Sequence, residues 1–292
     1  MIRELAEKVV QSVHSGKPLV WTGGHETIVP ELVRVMLDFP EKPSELSVKV
    51  EIPKQYHKVI LVSGGQDSTI MWHLNRNVED KIGLYVDFGQ AYKQKEIEAI
   101  NLFGIQFREV EYQIGNRWNH IIPARNFILL MLAEELVAPE GEIWLGAVQG
   151  ESAQDKGDKS SLFFTLFENF VWQSKHKRIH IRTLVEKTKN DWLKQYLCET
   201  GDSRILQTIT CFDGAERPCG RCQACVRKWI AMRYCGVEDA ESFFDVNPYQ
   251  GGQEHVEKYR HELKRALEQG DFSHYSKDRA IQDLSVIEAY QA

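Results

Sequence analysis

Val59, Ile60, Leu61 and Val62 run directly into Ser63-Gly64-Gly65-Gln66-Asp67-Ser68-Thr69, and this junction limits the fold more than any other stretch of the chain. Four consecutive apolar residues, three of them β-branched, predict a short strand buried on both faces of a parallel sheet. Gly64 and Gly65 lack the Cβ atoms that would hold an anion away from the backbone. Asp67, Ser68 and Thr69 are suited to cap a helix that begins with residues 70–74. A strand, a glycine turn and a helix N-terminus in that order leave several N–H groups unpaired, converging on one point with the positive end of the helix dipole behind them. Such a point holds an anion. A Walker loop would place a Lys-Ser or Lys-Thr pair after its second glycine, and Gln66-Asp67-Ser68 stands there instead, so ordinary γ-phosphate transfer is not indicated. The plainer reading of the same residues is a serine-rich helix cap with no ligand.

The chain has 292 residues, enough for one α/β core with additions. Its formal net charge of -6 argues against a dedicated nucleic-acid binder, whose phosphate contacts are lysines and arginines, and favours a substrate that fits a pocket. No apolar run approaches the roughly 20 residues of a membrane helix, and Met1-Ile2-Arg3-Glu4 does not open a signal peptide. A cytoplasmic protein with no membrane or nucleic-acid partner is expected.

Three segments follow from the pattern. Residues 1–56 form an N-terminal extension, with helical spacing at Ile2, Leu5, Val9, Val10 and Val13, a short strand at residues 19–22, a second helix over 30–38, and a polar turn at Gly23-Gly24-His25-Glu26. Residues 57–235 form the nucleotide domain. Its second strand covers residues 81–86 and ends in Asp87, twenty positions beyond Asp67. In an open α/β sheet ligands lie outside the carboxyl ends of the strands, so Asp87 is a candidate nucleotide contact, with a turn to Gly89 as the alternative. A helix over 91–103 and a strand over 107–112 come next. Pro123-Ala124-Arg125-Asn126 opens an apolar helix through Val137. Arg125 there works against the helix dipole, which a bound phosphate or carboxylate would justify better than solvent would. A strand over 142–148, fraying at Gly146, releases a polar loop at 149–158 that belongs over the pocket. An aromatic helix follows at 162–172. A basic run at 175–178 reads as a solvated helix end, and a helix over 188–198 starts with Lys189, which could reach a phosphate.

Cys211, Cys219, Cys222 and Cys225 follow the spacing C-x7-C-x2-C-x2-C. Two overlapping C-x2-C steps curl three thiolates around one centre and a loop brings the fourth, filling a tetrahedral Zn2+ shell with no open position. Iron–sulfur ligation is the rival. Cys198 and Cys235 fall outside the pattern and read as plain buried thiols. Residues 236–292 form a C-terminal helical extension, with stripes at Val256, Tyr259, Leu263, Ala266 and Leu267 and then at Ile281, Leu284, Val286 and Ile287.

Taken together, the Ser-Gly-Gly-x-Asp-Ser loop, Asp-Phe-Gly-Gln after the second strand, the Pro-x-Arg-Asn helix entrance and the four-cysteine cluster resemble the 7-cyano-7-deazaguanine synthase family of PP-loop ATP pyrophosphatases. The likeness spans roughly residues 57–235. It implies a doubly wound parallel sheet with a zinc-binding element at 211–225, and often a homodimer. It also implies ATP-dependent conversion of 7-carboxy-7-deazaguanine and ammonia into the nitrile. By the same resemblance, Ser63, Gly64, Gly65, Gln66, Asp67, Ser68, Asp87, Gln90, Arg125 and Asn126 contact the nucleotide, and Thr69 is expected to join them from the same helix start. Ser63, Asp67 and Ser68 are expected to serve catalysis, with Lys189 added for its place at the start of a helix, and Arg125 and Asp158 to contact the substrate. Two departures stand out: of the family's substrate loop only Asp158 keeps a clear counterpart, its arginine being absent, and both extensions exceed the usual family length.

That implies the following chemistry. Ser63, Ser68 and the loop N–H groups hold the β and γ phosphates as pyrophosphate departs, while Mg2+, held with help from Asp67 or Asp87, offsets the charge. The altered loop and the extra N-terminal segment leave a second acceptor open, an amine on a protein partner, as in proteins of antiphage gene clusters. A non-catalytic nucleotide-binding subunit is the remaining alternative.

Overall fold

The computed structural model describes residues 54–112, 124–151, 157–211, 213, 217–273 and 275–291. The expected elements and His25 of residues 1–53, the Pro123 helix entrance, and residues 152–156 of the substrate loop lie outside the described residues.

Five strands form one all-parallel sheet: β1 (Tyr56–Leu61), β2 (Lys81–Asp87), β3 (Phe107–Glu111), β4 (Val137–Val148) and β5 (Ile179–Leu184). Their order is β3-β2-β1-β4-β5. Helices α1 (Gln66–Leu74), α2 (Lys93–Leu102), α3 (Arg125–Glu134), α4 (Ser161–Lys175), α5 (Lys189–Thr200) and α6 (Gln223–Tyr234) cover its two faces. After them come the short turn α7 (Pro248–Gly251) and the long helices α8 (Gln253–Gln269) and α9 (Lys277–Gln291).

The sandwich follows from the side-chain period of two along a strand. Ile60 and Val62 point into one apolar cluster with Ile70, Ile100, Leu193 and Trp229, whereas Val59 and Leu61 point into the other with Leu130, Ile143, Phe164 and Phe167. The central strand is therefore buried on both sides, as its unbroken apolar run requires. The C-terminal helices share the first cluster: Val256, Tyr259 and Leu263 of α8 and Ala280 and Ile287 of α9 pack with Trp229. Tyr290 closes that corner, with its ring centroid 5.0 Å from Trp229 and 4.8 Å from Tyr249.

Several expectations change. The helix opened by Arg125 stops at Glu134, and Val137 already belongs to β4, because Val137 pairs with Tyr56 on the central strand. The pairing of β4 with β5 shifts between Trp144 and Val148, the stretch that contains Gly146. Strand β5 was not anticipated. Its pattern Ile-His-Ile-Arg-Thr-Leu belongs to an edge strand, where only part of each face is covered. The basic run is not simply solvated, since Lys175 and Lys177 both reach the buried carboxylate of Glu134. Cys198 is exposed and Cys235 only half-buried. Ile281 also faces outward, on the side of α9 away from the core.

Candidate active site

With the order β3-β2-β1-β4-β5, the chain winds outward from β1 on one side and then returns to the other at β4. The carboxyl ends of β1 and β4 therefore part at a crevice, the place where open α/β sheets bind ligands. A cavity of about 320 Å³ opens there. Ser63, Gly65, Gln66, Asp67, Ser68, Gln90, Arg125, Asn126 and Lys189 line it, and Gly64, Thr69, Asp87 and Asp158 do not.

The turn is shaped by close approach. Gly64 has a φ of 63°, and a Cβ there would lie 2.6 Å from the Glu96 carbonyl oxygen, so only glycine lets α2 press against the loop. The expected cap is corrected: helix α1 begins at Gln66 with Gly65 as its N-cap, and no side chain caps it among the described residues. Asp67, Ser68 and Thr69 sit inside the first turn, where hydroxyls reach carbonyls behind them rather than the free N–H groups. The Ser68 and Thr69 hydroxyls accordingly donate to the Gly65 carbonyl at 2.9 and 3.1 Å. The orphan N–H groups of the helix start are thus not consumed by capping and remain a cradle for an anion.

Across the cavity mouth the Lys189 Nζ sits 3.1 Å from Asp67 Oδ2. The other oxygen, Oδ1, is buried with no partner among the described residues. A buried anionic acceptor without a donor is costly unless a ligand or ion completes it. Gly146 on β4 lies beside this side chain, where a Cβ would meet the Asp67 Cβ in ordinary van der Waals contact at 3.4 Å.

The other predicted residues divide. Asp87 accepts from the Gly89 N–H at 2.6 Å and pairs with Lys93 at 2.6 Å, which is the turn arrangement. The Gln90 Oε1 accepts from the Phe88 N–H at 2.8 Å. Gln66 turns its amide to the Lys189 carbonyl at 3.1 Å, joining α1 to α5. Asn126 donates to the Asp158 carbonyl at 3.2 Å, so it fastens the chain just before Lys159 while the Asp158 side chain stays exposed.

One wall of the cavity belongs to the cysteine element. Ile209, Thr210 and Cys211 line it, and the Ile209 N–H donates to the Gly64 carbonyl at 2.9 Å. The sulfurs of Cys211, Cys219, Cys222 and Cys225 all lie within 4.8 Å of one another. Tetrahedral Zn–S bonds of roughly 2.3 Å imply sulfur–sulfur separations of about 3.8 Å, and Cys219–Cys225 and Cys222–Cys225 stand at 3.9 and 3.5 Å. The four residues make a candidate metal site. Backbone N–H groups of Asp213 and Cys219 point at the Cys211 sulfur, and that of Arg221 at the Cys219 sulfur, each at 3.4 Å. The Cys222 sulfur and burial push the Cys225 thiol up, so a metal cation is what would let this set ionise together. Beside it Lys228, donating to the Thr208 carbonyl, is buried. Burial and the charge of Lys189 pull it down to about 7, against the opposing influence of Cys225 and Cys211.

The family described as Queuosine biosynthesis protein QueC matches residues 104–236. The 7-cyano-7-deazaguanine synthase of Psychromonas ingrahamii is 25% identical over 219 residues, covering 64% of this chain and 98% of the relative. Those of Alteromonas mediterranea and Hahella chejuensis are 27% and 28% identical, covering 62% and 60% of this chain and 95% and 87% of the relatives. Over about 60% of its length the chain is similar to 7-cyano-7-deazaguanine synthases. Its all-parallel α/β sheet has the PP-loop fold, and the four-cysteine element is a candidate metal site within it.

The cavity also holds residues that the sequence did not single out: Tyr85, Tyr92, Glu96, Lys159 and Thr210. Glu96 looked like one charge among many on a surface helix, and no periodicity separates it from its neighbours. The sheet brings it inward. Its Oε2 accepts from the Tyr85 hydroxyl at 2.8 Å and from the Gln90 amide at 2.7 Å. Burial pushes the Glu96 carboxyl up, against the opposing pull of Gln90, Tyr85 and Arg125. The folded protein therefore holds this proton more tightly than the unfolded chain does. The resulting stability is fully present below the unfolded carboxyl range and is lost as pH rises through the folded value. Glu96→Gln keeps the shape and removes the buried charge. It is expected to raise the melting temperature near neutral pH, with the gain vanishing at about pH 4. Thermal melts across that range check this, and an equal gain at every pH would contradict it.

Proposed function

We propose that this chain uses ATP to adenylate a carboxylate, releases pyrophosphate, and passes the acyl group to ammonia, as a ligase forming a carbon–nitrogen bond. The acid is 7-carboxy-7-deazaguanine and the product 7-cyano-7-deazaguanine. One observation carries the reading. The uncapped start of α1 and the unpartnered Asp67 Oδ1 face one cavity with Lys189 across it.

A free carboxylate resists an amine because its charge repels the nucleophile and oxide leaves badly. In the first step its oxygen attacks the α-phosphorus of ATP, the bond to the β-phosphate oxygen breaks, and pyrophosphate leaves. Ammonia then adds to the acyl carbon, loses a proton and expels AMP, which gives the amide. A second ATP takes the amide oxygen in the same way, and loss of AMP with the two protons on nitrogen gives the nitrile. No side-chain nucleophile is needed. The N–H groups of residues 64–68 and the Ser63 hydroxyl hold the leaving diphosphate, joined by the Ser68 hydroxyl once it turns from the Gly65 carbonyl, with Gly64, Gly65 and Thr69 shaping the turn. Lys189 supplies fixed positive charge beside it. Asp67 Oδ1 suits Mg2+, which would offset the charge of the triphosphate. The four thiolates suit Zn2+, with no vacant position, so that ion is structural. Arg125 and Asn126 form the opposite rim, and Asp158 marks the substrate loop.

A second reading keeps the activation and changes the acceptor to an amine on a protein partner. What favours it is the exposed stripe Leu162, Leu166 and Phe170 on α4, with Phe127 beside it. It starts three residues beyond Lys159, on the cavity wall. Large exposed apolar side chains in a row mark contact surfaces.

Incubation with ATP, 7-carboxy-7-deazaguanine and ammonia is expected to give pyrophosphate and the nitrile. Pyrophosphate that appears only when a partner protein is added would move the assignment to the second reading. No ATP consumption with any acceptor would leave a nucleotide-binding subunit without turnover and overturn both.

A further inference from the structure

We infer that the C-terminal helix α9 is part of the catalytic apparatus: through Gln282 and Asp283 it positions Lys189, and it braces the loop that leaves β4. The inference rests on the role given above to Lys189. It concerns residues beyond 236, where the match to the family ends.

Lys189 is the first residue of α5, and its neighbours in that turn are held from α9. Gln282 bridges the N-cap and the first turn: its Oε1 accepts from the Thr188 hydroxyl at 2.7 Å and its Nε2 donates to Asp191 Oδ2 at 2.9 Å. Asn190, on the other side of Lys189, donates to Asp283 Oδ1 at 2.6 Å. The second Asp283 oxygen accepts from the Tyr259 hydroxyl at 2.5 Å and from the Arg279 Nε at 3.4 Å. Asp283 and Arg279 are 3% and 7% exposed. A helix that only had to cover apolar surface would need none of this, since Ala280 and Ile287 already bury that face. A buried carboxylate and guanidinium with directional partners are costly to desolvate. In return, apolar contact can slide, whereas this set fixes one register of α9 against the start of α5.

The same helix reaches the loop that leaves β4. Gly150 has a φ of 89°, and a Cβ on it would fall 2.6 Å from the Ser276 backbone nitrogen, so the strand exit runs against the start of α9. Gln149 donates to Asp278 at 3.4 Å. Glu151 pairs with Lys159 at 2.8 Å. Burial would raise the Glu151 carboxyl, but Lys159, Lys189 and Arg279 together bring it down. Arg279 pairs with Asp283, behind Lys189, and its charge also favours the ionised form of Glu151, the partner of Lys159. Both lysines that line the cavity are thus linked to α9.

A double-mutant cycle on the full-length protein tests this. Gln282 is only half-buried, so Gln282→Ala folds, with Gln282→Met as a bulkier replacement in case it does not. In the Lys189 background, Gln282→Ala is expected to lower kcat for pyrophosphate release about tenfold with the KM for ATP nearly unchanged, the mark of a misplaced catalytic group. In a Lys189→Ala background the same change is expected to cost less than about twofold. Lys264→Ala, which removes the exposed pair with Glu288 between α8 and α9, is expected to leave kcat alone. Equal losses from Gln282→Ala in both backgrounds, or none in either, would overturn the inference. If Lys189→Ala retains full activity, the role of Lys189 falls and this inference with it, while the proposed reaction stands. Amide exchange at residues 188–191 reads the same contact without turnover. It is expected to speed up in Gln282→Ala, and unchanged exchange overturns the positioning even if no acid is ever activated.

Discussion

Asp67→Asn is expected to lower pyrophosphate release by about 10²–10³-fold, the usual size of a lost electrostatic stabiliser at a reacting centre. Metal content and melting temperature should stay close to those of the parent. The asymmetry comes from what each oxygen does. Oδ2 holds Lys189 at 3.1 Å, and an asparagine oxygen can still accept that bond. Part-exposed ion pairs of this kind contribute only about 0–1 kcal/mol to folding. Oδ1 is buried and unpartnered among the described residues, so in the folded protein it is a cost, and its retention is explained by something bound. A neutral amide in that place lowers the cost of the buried charge, though its NH2 is left without an acceptor, and removes the charge that would face a triphosphate with its cation. Stability and activity therefore separate. Pyrophosphate release assayed beside a thermal melt checks this, and near-normal turnover would remove the turn from the mechanism.

The parts of the site that were legible in the sequence are those written in consecutive residues. Residues 59–69 specify a strand, a turn and a helix start within one short stretch, and the structure builds them there. The four cysteines are likewise close in sequence, and their sulfurs converge. Wall residues contributed from a distance were not legible. Glu96 acquires its role because β2 lies beside β1 and brings α2 against Gly64, a fact about pairing between strands rather than about the residues around Glu96. The tail was read as an appendage for the same reason. Its apolar stripes were visible, but nothing local reveals that Gln282 and Asp283 meet the start of α5 more than ninety residues earlier. The capping error at residues 67–69 is different in kind. Asp, Ser and Thr are all good caps, and three candidates in a row left the boundary undetermined until Gly65 took the position.

Cys222→Ser is expected to abolish stoichiometric metal binding and to lower the melting temperature by far more than any substitution in the cavity. A structural zinc contributes roughly 10 kcal/mol or more of binding free energy, which for a site absent from the unfolded chain is folding free energy. Most domains have only about 5–15 kcal/mol in total. Serine cannot replace the thiolate as a soft ligand, and three sulfurs would remain packed together without the charge that reconciles them. The loss should also reach the cavity. The segment ending in Cys211 donates from the Ile209 N–H to the Gly64 carbonyl at 2.9 Å, and Lys228 of α6 fastens the Thr208 carbonyl just before it. Slackening the element would free the turn from one side, so pyrophosphate release should fall with metal occupancy even at temperatures where the sheet is intact. Elemental analysis, melting with and without chelator, and turnover on the same samples test the chain of effects. A colourless protein with one zinc per chain also separates this ion from an iron–sulfur cluster. If metal-free protein melts cooperatively at the temperature of the loaded form, the four cysteines are packing residues and the brace on the turn must come from α6 alone.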